Sequence, residues 1–248
     1  MLCFVQSYAG TWKRRNMRSH IRNQGGQNDG VFFLIGKSAP NDSRVKTLET
    51  EIEKFNDFII GDYFDAYRNL TKKTFSGYKY VTENCYNDHK WILFLDDDTL
   101  LDENQFNELI TETEMPENTG QKSLERPWLR PYCLAGMKWS KARVMRPDDC
   151  DISDYARKKW SVTKSEYPLD TYPTYCGGPC TLLPNEYIEK SYEIAKNTNP
   201  KEFHHDDVLF TGILRIKSGA PDPVNVDGIC THYNSANKLE NIRNDKIT

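Results

Sequence analysis

Three short stretches carry residue types that can do chemistry. Asp96-Asp97-Asp98 follows the apolar run Trp91-Ile92-Leu93-Phe94-Leu95, Asp206-Asp207 precedes Val208-Leu209-Phe210, and His232 lies near the end of the chain. Adjacent carboxylates repel one another, and leaving them partly desolvated and unpaired costs on the order of several kcal/mol. A divalent cation removes that cost, and hard carboxylate oxygens suit Mn²⁺ or Mg²⁺. Alternate residues of a strand share a face, so Asp96 and Asp98 are expected to point together at a metal and Asp97 the other way. The plain alternative is an acidic turn after a core strand. For Asp206-Asp207 the plain alternative is a pair of carboxylates stabilising the first turn of a helix. A carboxylate not bound to the metal can act as a general base. Neutral imidazole is an ordinary metal ligand, which admits His232, with His20, His89, His204 and His205 as competitors.

These residues must be held by elements. An unbroken apolar run such as Trp91–Leu95 reads as a strand buried on both faces, and ligands of such α/β sheets bind outside the carboxyl ends of the strands. Before it, Leu2 to Gln6, Val31 to Gly36 and Phe58 to Ile60 read as strands. Helices are expected from about Trp12 to Arg22, from Asp42 to Phe55, and from Asp65 through Tyr80. The order β-α-β-α-β-α-β implies a mostly parallel sheet with right-handed crossovers. The first helix is basic (Lys13, Arg14, Arg15, Arg18, Arg22). It reads as a solvated face or, alternatively, as a surface turned toward phosphates.

After Asp98 the pattern loosens. A short helix is expected at Asn104–Thr113, a polar loop at Glu114–Arg130, a strand at Tyr132–Met137 and an irregular link at Met145–Ser153. The run Tyr172-Pro173-Thr174-Tyr175-Cys176-Gly177-Gly178-Pro179 is not a helix interior. Its paired glycines either let the backbone pass close to a ligand or simply turn the chain. Helices are expected at Asn185–Lys196 and from about Phe203, and a strand or loop at Val224–His232. No glycine-rich phosphate loop follows any strand, so neither a P-loop nor a dinucleotide fingerprint is present. No internal repeat or linker divides residues 1–248, which read as one domain.

The composition fits a globular chain: 248 residues, 38% hydrophobic and 28% charged, long enough to bury a core. A net charge of −3 gives no basic footprint for nucleic acid. Seven cysteines are too few for a disulfide scaffold, and their odd number leaves at least one thiol outside any pairing within the chain. The sequons Asn41-Asp42-Ser43 and Asn69-Leu70-Thr71 fit a secretory protein. No stretch approaches the length of a membrane span.

The joint order of motifs resembles the β-1,3-glycosyltransferases of the galactosyltransferase and N-acetylglucosaminyltransferase type, the family related to Fringe. Arg15-Asn16-Met17-Arg18 is similar to its early Arg-x-Ile-Arg. Asp62-Tyr63-Phe64-Asp65-Ala66-Tyr67-Arg68-Asn69-Leu70-Thr71-Lys72-Lys73-Thr74 resembles its Asp-Phe-x-Asp-x-Tyr-x-Asn-Leu-Thr-x-Lys-Thr. Cys85, Asp96-Asp97-Asp98, Lys159-Trp160-Ser161-Val162, Glu166-Tyr167-Pro168, Tyr172-Pro173-x-Tyr175-Cys176-x-Gly178 and Asp206-Asp207-Val208 with Gly212 follow in the family's order. Ser19-His20-Ile21 and Pro179-Cys180 depart from its usual pattern.

The resemblance implies a GT-A-like α/β fold and an inverting transfer of a hexose or N-acetylhexosamine, galactose first, from a UDP-sugar to the 3-hydroxyl of an acceptor glycan on a glycoprotein or glycolipid. It implies Mn²⁺ or Mg²⁺ held by Asp98, Asp96 and His232. Asp96, Asp97, Arg15, Arg18, Gly177 and Gly178 would contact the donor. Asp207, with Asp206 beside it, would deprotonate the acceptor. Trp160, Tyr172 and Tyr175 read as sugar platforms or, equally, as core rings. It further implies an N-terminal signal anchor preceding the catalytic domain, with which this chain begins, and residence in the Golgi lumen as a type II membrane protein. Two other readings stand beside it: a catalytically inactive relative acting as a binding or chaperone protein, and a metal-dependent phosphohydrolase, which needs a nucleophilic aspartate and a lysine on the phosphate.

Overall fold

A computed structural model describes residues 2–7, 14, 17–18, 30–38, 45–85, 90–114, 129–178, 180–198 and 203–232. Its centre is a seven-stranded sheet. In chain order the strands are β1 (Leu2–Gln6), β2 (Gly30–Lys37), β3 (Phe58–Phe64), β4 (Trp91–Asp96), β6 (Tyr132–Cys133), β9 (Cys180–Pro184) and β10 (Val224–Asn225). Their spatial order is β10-β6-β9-β4-β1-β2-β3. The pairs β4-β1, β1-β2, β2-β3 and β10-β6 are parallel, and β9 runs antiparallel to both β4 and β6. Two small ribbons complete the strands: β5 (Thr99–Leu101) with β11 (Cys230–His232), and β7 (Lys138–Trp139) with β8 (Tyr175–Cys176). This is the mostly parallel, helix-flanked sheet expected from the sequence, with β4 at its middle.

The two faces of the sheet follow from the period of two along a strand. Leu2, Phe4, Ile92, Phe94 and Leu183 face helices α2 (Leu70–Asn84) and α5 (Asn185–Thr198), where Tyr78, Val81, Tyr187, Ile188 and Tyr192 complete one core. Cys3, Val5, Trp91, Leu93, Leu95 and Leu182 face the other way, onto Met17, Leu101 and Phe106 of α3 (Glu103–Glu114). Helix α1 (Val45–Phe55) covers the end of β2 through Leu48 and Ile52, and α4 (Asp154–Trp160) lies between β7 and β8 along the chain. Among the described residues no helix is long and apolar enough to cross a membrane.

Several boundaries differ from expectation for physical reasons. Strand β3 runs on to Phe64 because it is the sheet edge, where Ile60, Asp62 and Phe64 alternate outward. Asp65 does not open a helix: its carboxylate accepts from the Gly36 amide at 3.1 Å and from Lys73 Nζ at 2.7 Å. A single 3₁₀ turn, Tyr67–Asn69, intervenes before α2. The strand expected at Tyr132–Met137 stops at Cys133 and turns through Gly136, which has φ of +68°. The loop expected at Glu114–Arg130 and the cap expected at Asp42 lie outside the described residues, apart from the loop's ends.

Candidate active site

Strands β1 and β4 end side by side, with Gln6 opposite Asp96. By alternation Asp96 shares the face of Ile92 and Phe94, and it lines a cleft of about 40 Å³ with Gln6, Thr74, Tyr78, Gly178, Asp206, Asp207, Phe210 and Thr211. The strand stops at Asp96. Asp97 and Asp98 form the turn into β5, so the expected strand alternation over Asp96, Asp97 and Asp98 is replaced by turn geometry. Asp97 is fixed beside β1: its amide donates to the Gln6 carbonyl at 3.1 Å, and Ser7 Oγ donates to its Oδ2 at 2.9 Å.

The second acidic pair comes to the same cleft from the far end of the chain. Asp206 Oδ2 accepts from Thr74 Oγ1 at 2.8 Å and from Gln6 Nε2 at 3.1 Å. Asp207 caps the π-helical segment Val208–Ile213, its Oδ1 accepting from the Val208 amide at 2.7 Å. That segment leads into α6 (Leu214–Ser218). Thr211 ties it down: Oγ1 donates to the Asp207 carbonyl at 2.7 Å and accepts from the Cys176 amide at 2.9 Å.

The electrostatics reflect a crowd of like charges in a poorly solvated place. Burial, reinforced by Asp206, Asp98 and Asp97, pushes the Asp96 carboxyl up to about 7. Burial, with Asp206 adding to it, pushes Asp207 up to about 7 as well. Both keep a little exposed surface but lie deep in the cleft. Burial and the same carboxylates also drive the Tyr67 phenol well above its ordinary value.

A divalent cation fits this chemistry. Two carboxylates plus phosphate oxygens of a substrate form the open oxygen set that Mg²⁺-type ions accept. Among the described residues no group of three His, Cys, Asp or Glu side chains forms a ready-made cage. The backbone register sets His232 opposite Thr99, one residue beyond Asp98; its side chain lies outside the described residues.

Of the paired glycines, Gly178 reaches the cleft. Gly178 has φ of +89° and lines the cleft, and a Cβ there would lie 2.6 Å from Met137 Sδ. A Cβ on Gly177 would lie 2.5 Å from the Trp139 indole. The disulfide Cys133–Cys176 anchors the residue before them, and Cys180–Cys230 joins β9 to β11. Cys3 and Cys85 are buried outside either disulfide, and Cys150 is an exposed thiol.

Two expectations are corrected. Arg18 does not face phosphates. Its Nε and Nη2 clasp both oxygens of Asp57 at 2.7 and 2.8 Å, and its Nη1 donates to Glu51 at 2.5 Å. The guanidinium is sandwiched by Phe33 and Phe55 at 4.6 and 4.1 Å, because a charge this deep needs both a partner and a lining. Arg14 is buried too and shares Glu51, so the described part of the basic helix is not a solvated face. Arg15 lies outside the described residues. Tyr172, read as a sugar platform or a core ring, is a core ring 6% exposed, packed on Tyr167 and Phe203. Tyr175 is half-buried beside Asp207, and Trp160 is partly exposed, donating to Tyr67 Oη.

Gln6, Ser7, Thr74 and Thr211 were not singled out as site residues from the sequence. Thr74 carries a signal, as the last position of the motif beginning at Asp62; the others are polar residues whose site contacts lie mostly far along the chain. Lys73, the lysine near enough to act on Asp96, donates to the Ser7 carbonyl and to Asp65 inside the core. The phosphohydrolase reading therefore gains no phosphate-gripping lysine from it.

Comparison with known proteins agrees with the motif order. UDP-GalNAc:beta-1,3-N-acetylgalactosaminyltransferase 1 of Sus scrofa is 24% identical over 201 residues, 79% of this chain and 53% of that protein. The Rattus norvegicus protein of the same name is 26% identical over 203 residues, with the same coverage. Beta-1,3-galactosyltransferase 5 of Homo sapiens is 24% identical over 204 residues, 75% of this chain and 58% of that protein. The chain thus spans about half the length of the relatives it matches. A solved structure of the galactosyltransferase LgtC with donor and acceptor sugar analogs aligns with a TM-score of 0.38 at 9% identity, covering 95% of this chain and 88% of that one. At that level the assignment rests on sequence, and there it is direct. The Galactosyltransferase family model matches residues 9–223, most of the chain, with both acidic pairs inside its span, and the chain belongs to that family.

Proposed function

We propose that this domain transfers a sugar, galactose or an N-acetylhexosamine, from a UDP-sugar to the 3-hydroxyl of an acceptor glycan, with inversion, forming a β-1,3 linkage. The observation that carries the reading is the convergence of Asp96 and Asp207 on one cleft at the carboxyl end of a buried central strand. The names of the relatives, all UDP-GalNAc or galactose β-1,3-transferases, support it.

Asp96 and Asp98, with His232 as the remaining protein ligand, would hold Mn²⁺ or Mg²⁺ beside the donor diphosphate. The ion supplies positive charge to the leaving group when bound. Asp97, locked to Ser7, and the Gly177-Gly178 pair would shape the donor side. Asp207 takes the proton of the acceptor hydroxyl as that oxygen bonds to the anomeric carbon and the bond from that carbon to the UDP oxygen breaks. A base held near 7 is matched to work at neutral pH. Asp206, held by Thr74 and Gln6, keeps its neighbour in place. Family resemblance favours a Golgi lumenal setting.

The test is a thermal-shift titration with UDP, with and without Mn²⁺. Ligand that binds only the folded state raises the midpoint by mass action. The expected result is a Mn²⁺-dependent shift absent from Asp98→Ala, followed by transfer from one of the UDP-sugars. A folded chain with no shift near millimolar UDP would return the inactive binding-protein reading to the front.

A further inference from the structure

Beside the cleft stands an exposed cluster that the donor chemistry does not use. The Lys159 ammonium lies 4.7, 5.4 and 5.2 Å from the ring centres of Tyr67, Tyr155 and Trp160. Trp160 Nε1 donates to Tyr67 Oη at 3.1 Å, and Tyr155 meets Trp160 edge-on at 5.7 Å. These rings are not core: Tyr155 is 63% and Tyr67 37% exposed. Grouped exposed rings rimmed by polar residues mark a binding surface.

Two ties join the cluster to the acidic pair. The Trp160 carbonyl is 3.0 Å from His205 Nε2, and His205 directly precedes Asp206. The Tyr67 phenol is within electrostatic reach of Asp206, Asp207 and Asp96. The rings are thus tied to the segment that carries the proposed base, near the acidic cleft.

The charge on this cluster is opposite to that of the cleft. An ammonium has three donors. Lys159 gives one to Tyr155 Oη at 3.1 Å, and it forms no ion pair among the described residues. Arg68 sits alongside, exposed, its Nη2 donating to the Lys158 carbonyl at 3.3 Å. A cation lined by rings and short of a carboxylate suits an anion delivered with a flat, partly apolar ligand.

We propose that Tyr67, Tyr155, Trp160 and Lys159 form the acceptor subsite, and that it takes a glycan bearing an anionic group, either a uronate carboxylate or a sulfate. This rests on the transferase reading above. The sugar stacks on the rings, and the anion meets the free N–H groups of Lys159.

The experiment is calorimetric titration, in the presence of UDP and Mn²⁺, of lactose, lactose 6′-sulfate and cellobiouronic acid into the wild-type chain and into Lys159→Gln and Trp160→Ala. At least one charged disaccharide is expected to bind about tenfold more tightly than lactose. That advantage should collapse to less than about twofold in Lys159→Gln, and Trp160→Ala should weaken all three sugars. The charged sugar with the larger advantage identifies the anion. The UDP–Mn²⁺ thermal shift of each variant reports separately on the fold and the donor site. Equal binding of lactose and both charged sugars, a preference that survives in Lys159→Gln, or no binding at millimolar sugar overturns the proposal. A missing UDP shift in the wild type overturns the transferase reading instead, and a Lys159-dependent charge preference found there would strike only the acceptor role.

Discussion

Thr74 and Asp206 meet across 132 residues of sequence, the threonine hydroxyl donating to Asp206 Oδ2 at 2.8 Å. With Gln6 donating to the same oxygen, helix α2 and strand β1 together fix where the acidic pair can stand. Hydrogen bonds to charged groups contribute about 1.5–3 kcal/mol. Thr74→Val, which keeps the shape and removes the hydroxyl, should lose about 2 kcal/mol in a urea titration and at least about tenfold in transfer rate, since small displacements of a catalytic group are costly. Thr74→Ser should keep most of both. A Val variant with wild-type midpoint and rate would show that the contact positions nothing.

Asp207 carries a pH signature. As the proposed base it must be ionised, so the turnover rate should rise with pH to about 7 and then level off. Asp207→Asn should lower that rate by about 10²–10⁴. Stability moves in the other direction. The native state holds a proton that the unfolded chain has already released, so this group's contribution is complete below pH about 4 and is lost as pH rises through about 7. Discounted for partial exposure, the Asn variant should be more stable than wild type by about 1–2 kcal/mol at pH 8 and equal to it near pH 4. Melting curves at the two pH values check the sign.

Arg18 should matter for folding. Removing it leaves Asp57, 4% exposed, without its bidentate partner, and breaking a buried pair from one side costs about 3–5 kcal/mol. Arg18→Lys should not restore the loss, because an ammonium cannot replace the fork. Chemical denaturation measures both variants. The UDP–Mn²⁺ shift should persist in whatever fraction remains folded.

The disulfide Cys133–Cys176, spanning 43 positions, closes a loop whose constraint is worth about 4 kcal/mol in the chain-entropy model. The double variant Cys133→Ala, Cys176→Ala should lower stability by about 2–4 kcal/mol and also weaken UDP binding, because the bond anchors the strand leading into Gly177-Gly178. Isothermal titration with UDP separates the two effects: stability lost with unchanged affinity would confine the bond to a structural role.

Much of the first half of the fold was legible because its signals are local. The run Trp91–Leu95 is apolar on both faces, and only a central strand buries both, so β4 and the aspartates at its end could be read directly. The same period places Asp96 on the cleft side. It fails for Asp97 and Asp98 because the chain turns there, and periodicity says nothing about turns. Arg18 was misread because a basic residue on a helix looks the same from sequence whether it meets solvent, phosphate or a buried Asp57. Tyr172 and Trp160 are both aromatic residues in matching motifs, yet one is core and the other partly exposed; only packing against Phe203 separates them. Gln6 and Thr211 gave no signal at all, since their partners lie far along the chain or across a disulfide-tied strand.

The hydrogen bond between Gln6 and Asp206 spans 200 positions. The same amide nitrogen also lies 3.2 Å from Thr74 Oγ1, 68 positions away, so the last side chain of β1 gains its two partners at very different points of the chain. Long-range closures of this kind slow folding, and here one of them also completes the cleft. A chain stopped short of Asp206 has the carboxylates at the end of β4 but lacks the second acidic pair that lines the cleft with them. The cleft is complete only once β1 and the segment that carries Asp206 have met.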